Sequence, residues 1–227
     1  MSRAASQEDP ISERMTQADP KLRAGDRDPV PPPLKRFIWD VQSIVELAES
    51  EREILLIGRD LMARLIAADD WLPTVFAAAS EAGSRQFQIY RDGLERFSIV
   101  STILPGGTAL AITKPSVWEI LGVLAGAVAR QPLDGGPDGG VQANGNGHVL
   151  PAGTLEAHGS RSGDLVRLSN GLDDRASLIL HVYGGDIGKL IGHPLAPDGR
   201  MLEPLAYANA ESAPPYDIFS IQTEIRD

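Results

Sequence analysis

The stretch Gly107–Gly126, GTALAITKPSVWEILGVLAG, constrains the fold more than any other part of the chain. Eleven residues separate Gly107 from Glu119, and six separate Glu119 from Gly126. Trp118–Leu124 within it reads as a short strand. So do Phe97–Leu104, Val149–Glu156, Asp164–Leu168 and Ser177–Tyr183, the last ending at Gly184-Gly185. Short apolar runs separated by turn residues predict a β-sandwich or barrel. The 23 glycines and 17 prolines fit that reading. Strand alternation places Ser177, Ile179, His181 and Tyr183 on one face.

The barrel has appendages. Residues 1–33 are polar, charged and end in Val30-Pro31-Pro32-Pro33. They carry too little apolar surface to offset chain entropy and are expected to be a disordered arm ending in polyproline. Residues 34–83 form the helical part of the domain. Phe37, Ile38, Val41, Ile44, Val45 and Leu47 recur at helical spacing. Ser50 precedes Glu53 as a capping box, and Ile54, Leu55, Ile57, Leu61, Leu65 and Ile66 then form a stripe. Asp69 or Asp70 is expected to cap a short third helix near Trp71. These helices should pack on the outside of a barrel spanning residues 84–210, with 211–227 as a strap over it. Residues 134–147 are expected to be a glycine-rich loop; they hold no phosphate-loop lysine, so no nucleotide role is assigned.

Composition narrows the partners. A net charge of -10 argues against a nucleic-acid or anionic-membrane surface. The absence of cysteine excludes disulfides, thiolate metal ligands and a thiol nucleophile. No run reaches the ~20 apolar residues of a membrane span, and the N-terminus lacks an export core. A cytoplasmic protein is expected.

Two spacings then identify a relative. The cupin barrels carry a first motif of Gly, five residues, His, one, His, three, Glu, six, Gly. Gly107, Glu119 and Gly126 fill their places, but Thr113 and Pro115 stand at the two histidines. The second motif is Gly, two residues, His, three, Asn. Gly163 and Asn170 fill it, with Val166 at the histidine. Over roughly residues 35–210 the chain resembles the cupin-fold thiol dioxygenases, the cysteine and 3-mercaptopropionate dioxygenase type. The segments Glu95–Ser101, Val117–Ala127, Ser162–Asn170 and Leu180–Gly188 carry the likeness.

That resemblance implies a double-stranded β-helix, or jelly roll, with Fe(II) held by three histidines. Neutral imidazoles suit Fe(II) and leave positions open for a thiolate and dioxygen. Carried over, the ligand positions are Thr113, Pro115 and Val166. Proline and valine offer no side-chain donor, so no cofactor is expected. The family's Ser-x-His-x-Tyr relay reads Ile179, His181 and Tyr183 here. Glu119 replaces a residue that is usually small. The candidate site is therefore Glu119, His181 and Tyr183. Glu119 pairs with His181 or Tyr183 on this reading, or with Lys114 or Arg167 at the barrel mouth on a plainer one. His148, His158 and His193 are expected to be solvated, and Trp118 to pack on the barrel wall. Arg85, Gln86 and Arg91 lie near where the family holds a substrate carboxylate.

Three functions stay open. The favoured one is an inactive or repurposed cupin that binds a small organic acid or thiol, or pairs with an active paralogue or a second copy of itself. The others are a thiol dioxygenase with displaced ligands and a metal-independent enzyme using Glu119 and His181.

Overall fold

Val30 is buried, and Pro32 and Pro33 open the first helix, so the polyproline end of the expected arm belongs to the domain. The computed structural model describes residues 30–68, 70–78, 83–110, 116–135, 140–161, 165–190, 195–196, 200–203, 206–210 and 214–218. Residues 1–29 and most of the strap, including 219–227, lie outside that set, as do Asp69, Thr113, Lys114, Pro115, Gly163 and His193.

Helix α1, Pro32–Leu47, begins on prolines because its first amides would be unpaired anyway. It buries Leu34, Phe37, Ile38 and Val41. Helix α2, Glu51–Ile66, starts at Ser50, whose Oγ accepts from the Glu53 amide at 3.3 Å. It buries Leu61, Met62, Leu65 and Ile66, and Gly58 lets it lie close to the sheet. A Cβ there would stand 2.4 Å from the Ile120 Cδ1. The expected third helix is only a 3-10 turn, Thr74–Phe76. Trp71 anchors the chain before it, its Nε1 donating to the carbonyls of Leu65 and Ala68.

The strands are β1 Arg85–Arg91, β2 Ser98–Leu104, β3 Glu119–Ala125, β4 Ala127–Gly135, β5 Val141–Ala143, β6 His148–Pro151, β7 Leu155–His158, β8 Leu165–Asn170 and β9 Ser177–Tyr183; the short helix α3, Ile187–Leu190, follows. One sheet has the order β1-β2-β9-β3-β7. In the other, β4 pairs with β8 along one edge and with β5 and β6 along the other. All pairings between these strands are antiparallel, and an isolated parallel bridge joins Tyr90 of β1 to Tyr216. The chain passes from the first sheet to the second between β3 and β4, and back between β6 and β7. It crosses to the second sheet again between β7 and β8, and returns between β8 and β9. This alternation wraps the strands into a two-sheet jelly roll.

Two expectations change here. The run Val149–Glu156 is two strands broken by a turn at Ala152–Thr154. Its Gly153 adopts φ +82°, which ends any extended run. The glycine-rich stretch 134–147 includes the end of β4 and all of β5, held by pairing of Leu133, Asp134 and Gly135 with Ala143, Gln142 and Val141.

β2, β3 and β9 are buried on both faces, which is why they read as continuous apolar runs. Ile99, Ile103, Ile120, Leu124, Leu178, Leu180 and Val182 meet the helices. Leu104, Leu121, Val123, Val128, Leu150, Val166, Leu168 and Ile179 fill the space between the sheets. Trp118 is buried on the helix side, as the sequence suggested.

The β3–β4 corner depends on Gly126. Its φ is +76°, and an added Cβ would lie 2.3 Å from the Ser177 Oγ. That hydroxyl bridges to Asn170 Oδ1 at 2.7 Å and receives the Ala127 amide at 3.0 Å. Gly126→Ala is therefore expected to lose about 2–3 kcal/mol by chemical denaturation, from backbone strain plus a displaced hydroxyl. An unchanged midpoint would contradict this corner geometry.

Candidate functional site

Register decides which side chains meet inside the barrel. Glu119 on β3 is the partner of Tyr183 on β9, and Leu121 is the partner of His181. On the other side of β9, Ser98 and Val100 of β2 face Tyr183 and His181. Ile179, two residues from His181, lies in the interior apolar cluster, so His181, Tyr183 and Glu119 share the inward face. Val166 lies in the same apolar cluster.

His181 is wholly buried, and its Nδ1 lies 2.8 Å from Glu119 Oε1 and 3.0 Å from the Tyr183 hydroxyl. The His181 and Tyr183 rings stack at 5.3 Å with 8° between planes. An ionised carboxylate only accepts, so His181 Nδ1 must carry the proton it shares with Glu119. Tyr183 cannot then donate to that nitrogen, and the Glu119 carboxylate beside it is the acceptor its hydroxyl can turn to.

The electrostatics follow. Burial works to raise the Glu119 pKa, but the hydrogen bond and charge of His181, with His158 and Tyr183 behind them, hold it below the ordinary carboxylate value. The Tyr183 phenol is pushed well up, first by burial and then by the neighbouring Glu119 charge. Two buried side-chain nitrogens are left over among the described residues, Arg167 Nε on β8 and one at this pair. His181 Nε2 is buried and has no hydrogen-bond partner among the described residues.

The plainer expectation for Glu119 fails on Arg167. Strand alternation turns Val166, Leu168 and Asn170 inward, so Arg167 belongs to the opposite face of β8. Lys114 lies outside the described residues.

A second polar cluster was not foreseen. His148 and His158 were expected to be solvated, yet both bind one carboxylate. His148 Nε2 is 2.5 Å from Glu156 Oε1, and His158 Nε2 is 3.0 Å from Glu156 Oε2. Arg130 adds an ion pair at 3.4 Å. The cause is register: His158 is the partner of Glu119, Glu156 of Leu121, and His148 of Arg130. The i, i+2 pair Glu156 and His158 on one short strand was the available signal. The cluster brings a prediction. The His158 hydrogen bond, opposed by burial and reinforced by His148 and Arg130, lowers the Glu156 pKa to about 2 from an ordinary 4.5. A depressed folded pKa gives stability that is full above 4.5 and lost as pH falls towards 2. The melting temperature of the wild type should fall more steeply across that interval than that of Glu156→Gln. Parallel curves would refute the pairing.

The residues near the expected carboxylate holder are already engaged. The Arg85 guanidinium lies 4.7 Å over the Phe87 ring, Gln86 donates to Thr102 Oγ1 at 3.1 Å, and Arg91 is 3.9 Å from Asp186. Asp186 is buried and accepts from Gln88, Tyr207 and the Gly188 amide. Ile187 of α3, Val117 and Tyr207 pack against Tyr183 and Val100 at this end of the barrel.

No family model matches the chain. Among solved structures, an RmlC-like cupin family protein with a double-stranded β-helix fold from Methanocaldococcus jannaschii is 13% identical. It covers 47% of this chain and 84% of that one, with a TM-score of 0.37. A cupin superfamily protein from Desulfitobacterium hafniense DCB-2 is 10% identical and covers 52% and 94%, with a TM-score of 0.39. An oxalate oxidase in complex with glycolate is 16% identical and covers 47% and 53%, with a TM-score of 0.36. Likenesses this distant say nothing about activity. The strand order and the alternation between two antiparallel sheets carry the architecture. The fold is a cupin-type double-stranded β-helix. Among the described residues of this cupin barrel, no helix is long and apolar enough to cross a membrane, and no group of three His, Cys, Asp or Glu side chains is placed to hold a metal ion.

Proposed function

We propose that this barrel is a repurposed cupin of the thiol dioxygenase type that binds a small molecule at His181 and does not use the three-histidine iron centre. The observation that carries the reading is the buried His181 Nε2, which has no hydrogen-bond partner among the described residues. A buried polar atom without a partner costs about 1–3 kcal/mol, and a guest that completes it recovers that loss. With Nδ1 given to Glu119, Nε2 is the edge of His181 left for a guest, and it accepts a hydrogen bond whenever the ring is neutral. The guest this favours is small, weakly charged and carries a donor such as a hydroxyl, amine or thiol.

The iron of the relatives does not fit the residues present. Thr113 and Pro115 lie outside the described residues, but a proline has no side-chain donor wherever it sits. Val166 is an isopropyl group among Leu104, Leu121, Val123, Leu168 and Ile179. Displaced ligands do not replace them on this geometry. Glu119 and Tyr183 gather at the Nδ1 edge of His181, so a metal on Nε2 would have neither of them beside it.

A second reading has its own support. The 2.8 Å contact between Glu119 and His181 is that of an acid–base pair, with Nε2 free to take a proton from a guest without any metal. The two readings share one site. Differential scanning fluorimetry against small acids, alcohols, amines and thiols, with and without Fe(II), tests both. A guest at about 100 times its dissociation constant adds about 2.7 kcal/mol of stability. We expect such a guest to raise the melting temperature equally with and without iron, and the shift to vanish in His181→Leu. Stoichiometric iron with thiol-dependent oxygen uptake would overturn the proposal. Conversion of the guest would select the second reading.

A further inference from the structure

We propose that the groove between α1 and α2 is a docking site for an acidic stretch of this chain's own N-terminus, residues 8–15. The inference is independent of the barrel site, and the failure of either leaves the other standing.

The groove has a volume of about 310 Å³, with Pro33 and Asp40 among its walls. Phe37, Leu61 and Leu65 form its floor and are not fully covered, at 4%, 6% and 5% exposure. Leu34 and Ile38, also on α1, are at 0%. Arg36 of α1 and Arg64 of α2 line the groove from the two helices. Among the described residues each guanidinium is bonded only within its own helix and only through Nε. Arg36 meets Asp40 at 3.3 Å, and Arg64 donates to the Asp60 carbonyl at 3.2 Å. The terminal amino groups of both arginines are left for an outside carboxylate, which the planar fork of a guanidinium suits. Two arginines against the one Asp40 make the groove locally positive in a chain whose net charge is -10.

Place and charge choose the occupant. The chain enters α1 at Pro32, and Pro33 is part of the groove wall, so residues 1–29 lead directly to it. Within them Glu8, Asp9 and Glu13 outnumber Arg14, and they flank two apolar side chains, Ile11 and Met15. Acids for the rim and apolar groups for the floor therefore come together in one stretch. From Thr16 to Pro29 the charges balance, with Asp19, Asp26 and Asp28 against Lys21, Arg23 and Arg27. That part offers the groove no net attraction and serves as the tether. Its reach is ample, because 14 residues extend up to about 50 Å. The α1 side of the groove, from Pro33 to Asp40, is only about 10 Å long.

Tethering compensates for the small floor. Surface ion pairs are individually weak, and a free peptide would gain little here. A short linker gives an effective concentration in the millimolar range, so a weak contact still closes within the chain.

The test is paramagnetic NMR on the full 15N-labelled chain. The sequence has no cysteine, so Ala18→Cys carries a nitroxide at one place, outside the docking stretch. We expect the amide signals of Phe37, Leu61 and Leu65 to lose most of their intensity and to regain it when the nitroxide is reduced. Those of β5 and β6 should keep theirs. Salt at about 1 M, where the screening length is about 3 Å, should reverse most of the loss without any further substitution. Arg36→Glu/Arg64→Glu should abolish it, and adding Glu8→Arg and Glu13→Arg should bring it back, which a merely misfolded variant would not do. Loss spread evenly over the surface, or loss that persists in the arginine variant, would overturn the proposal. So would the same loss in a mixture of nitroxide-bearing 14N chains with unmodified 15N chains, because a second copy would then be the occupant.

Discussion

Asn170→Leu should cost about 3–5 kcal/mol, among the largest losses any single substitution in this chain can produce. Asn170 is buried and uses its whole amide. Nδ2 donates to the carbonyls of Leu104 and Arg175, at 2.7 and 2.8 Å. Oδ1 accepts from the Leu172 amide and from Ser177 Oγ, at 2.9 and 2.7 Å. These bonds join the end of β2, the end of β8, the following turn and the start of β9. Leucine is close in size but leaves four polar groups without their partner, and buried unsatisfied groups cost about 1–3 kcal/mol each before relaxation. Asn170→Asp is the sharper control. It keeps both accepted bonds but sets a carboxylate against two carbonyl oxygens. It should be about as damaging at neutral pH and recover partly in acid, when protonation restores one donor. Urea denaturation at two pH values reads both results. A loss under about 1 kcal/mol for leucine would mean that the amide merely fills space.

The second large effect concerns the buried pair. Glu119→Leu removes the acceptor of a wholly buried imidazole, and His181→Leu removes the donor of a buried carboxylate. Breaking a buried pair from one side costs about 3–5 kcal/mol, whereas replacing both members by apolar groups is often neutral or better. We therefore expect each single variant to be strongly destabilised. The double variant Glu119→Leu/His181→Leu should recover most of the loss, so that the two single effects are far from additive. Adding Tyr183→Phe removes the hydroxyl orphaned by the loss of Glu119 and should restore more. That pattern fits a pair kept for its chemistry, since the fold would do as well without it. A double variant as unstable as the sum of the singles would show no coupling between the two side chains, and the functional reading would lose its main support.

The sequence exposed the inward face of β9 because His181 and Tyr183 stand two residues apart in an otherwise apolar run. The Ser50 cap was equally legible, being a local signal. β4 was hidden because its residues interleave Arg130, Gln131, Pro132 and Asp134 with a few apolar ones; its two edges are covered, yet its composition reads as loop. Val149–Glu156 read as one strand because apolar content alone does not mark a turn, and the positive φ of Gly153 settled it. The Glu156 cluster was invisible for a different reason. His148 comes from one sheet and Glu156 with His158 from the other, so only the closed barrel brings them together. Pro32 and Pro33 read as an extended arm because proline composition is ambiguous between polyproline and the first turn of a helix.

The central claim is that His181 shares its Nδ1 proton with an ionised Glu119 and leaves Nε2 without a hydrogen-bond partner among the described residues. The 15N chemical shifts of the His181 ring in the guest-free protein test it most directly. They should show a protonated Nδ1 and a bare Nε2. A ring protonated only on Nε2, with Nδ1 accepting from Tyr183, would contradict it.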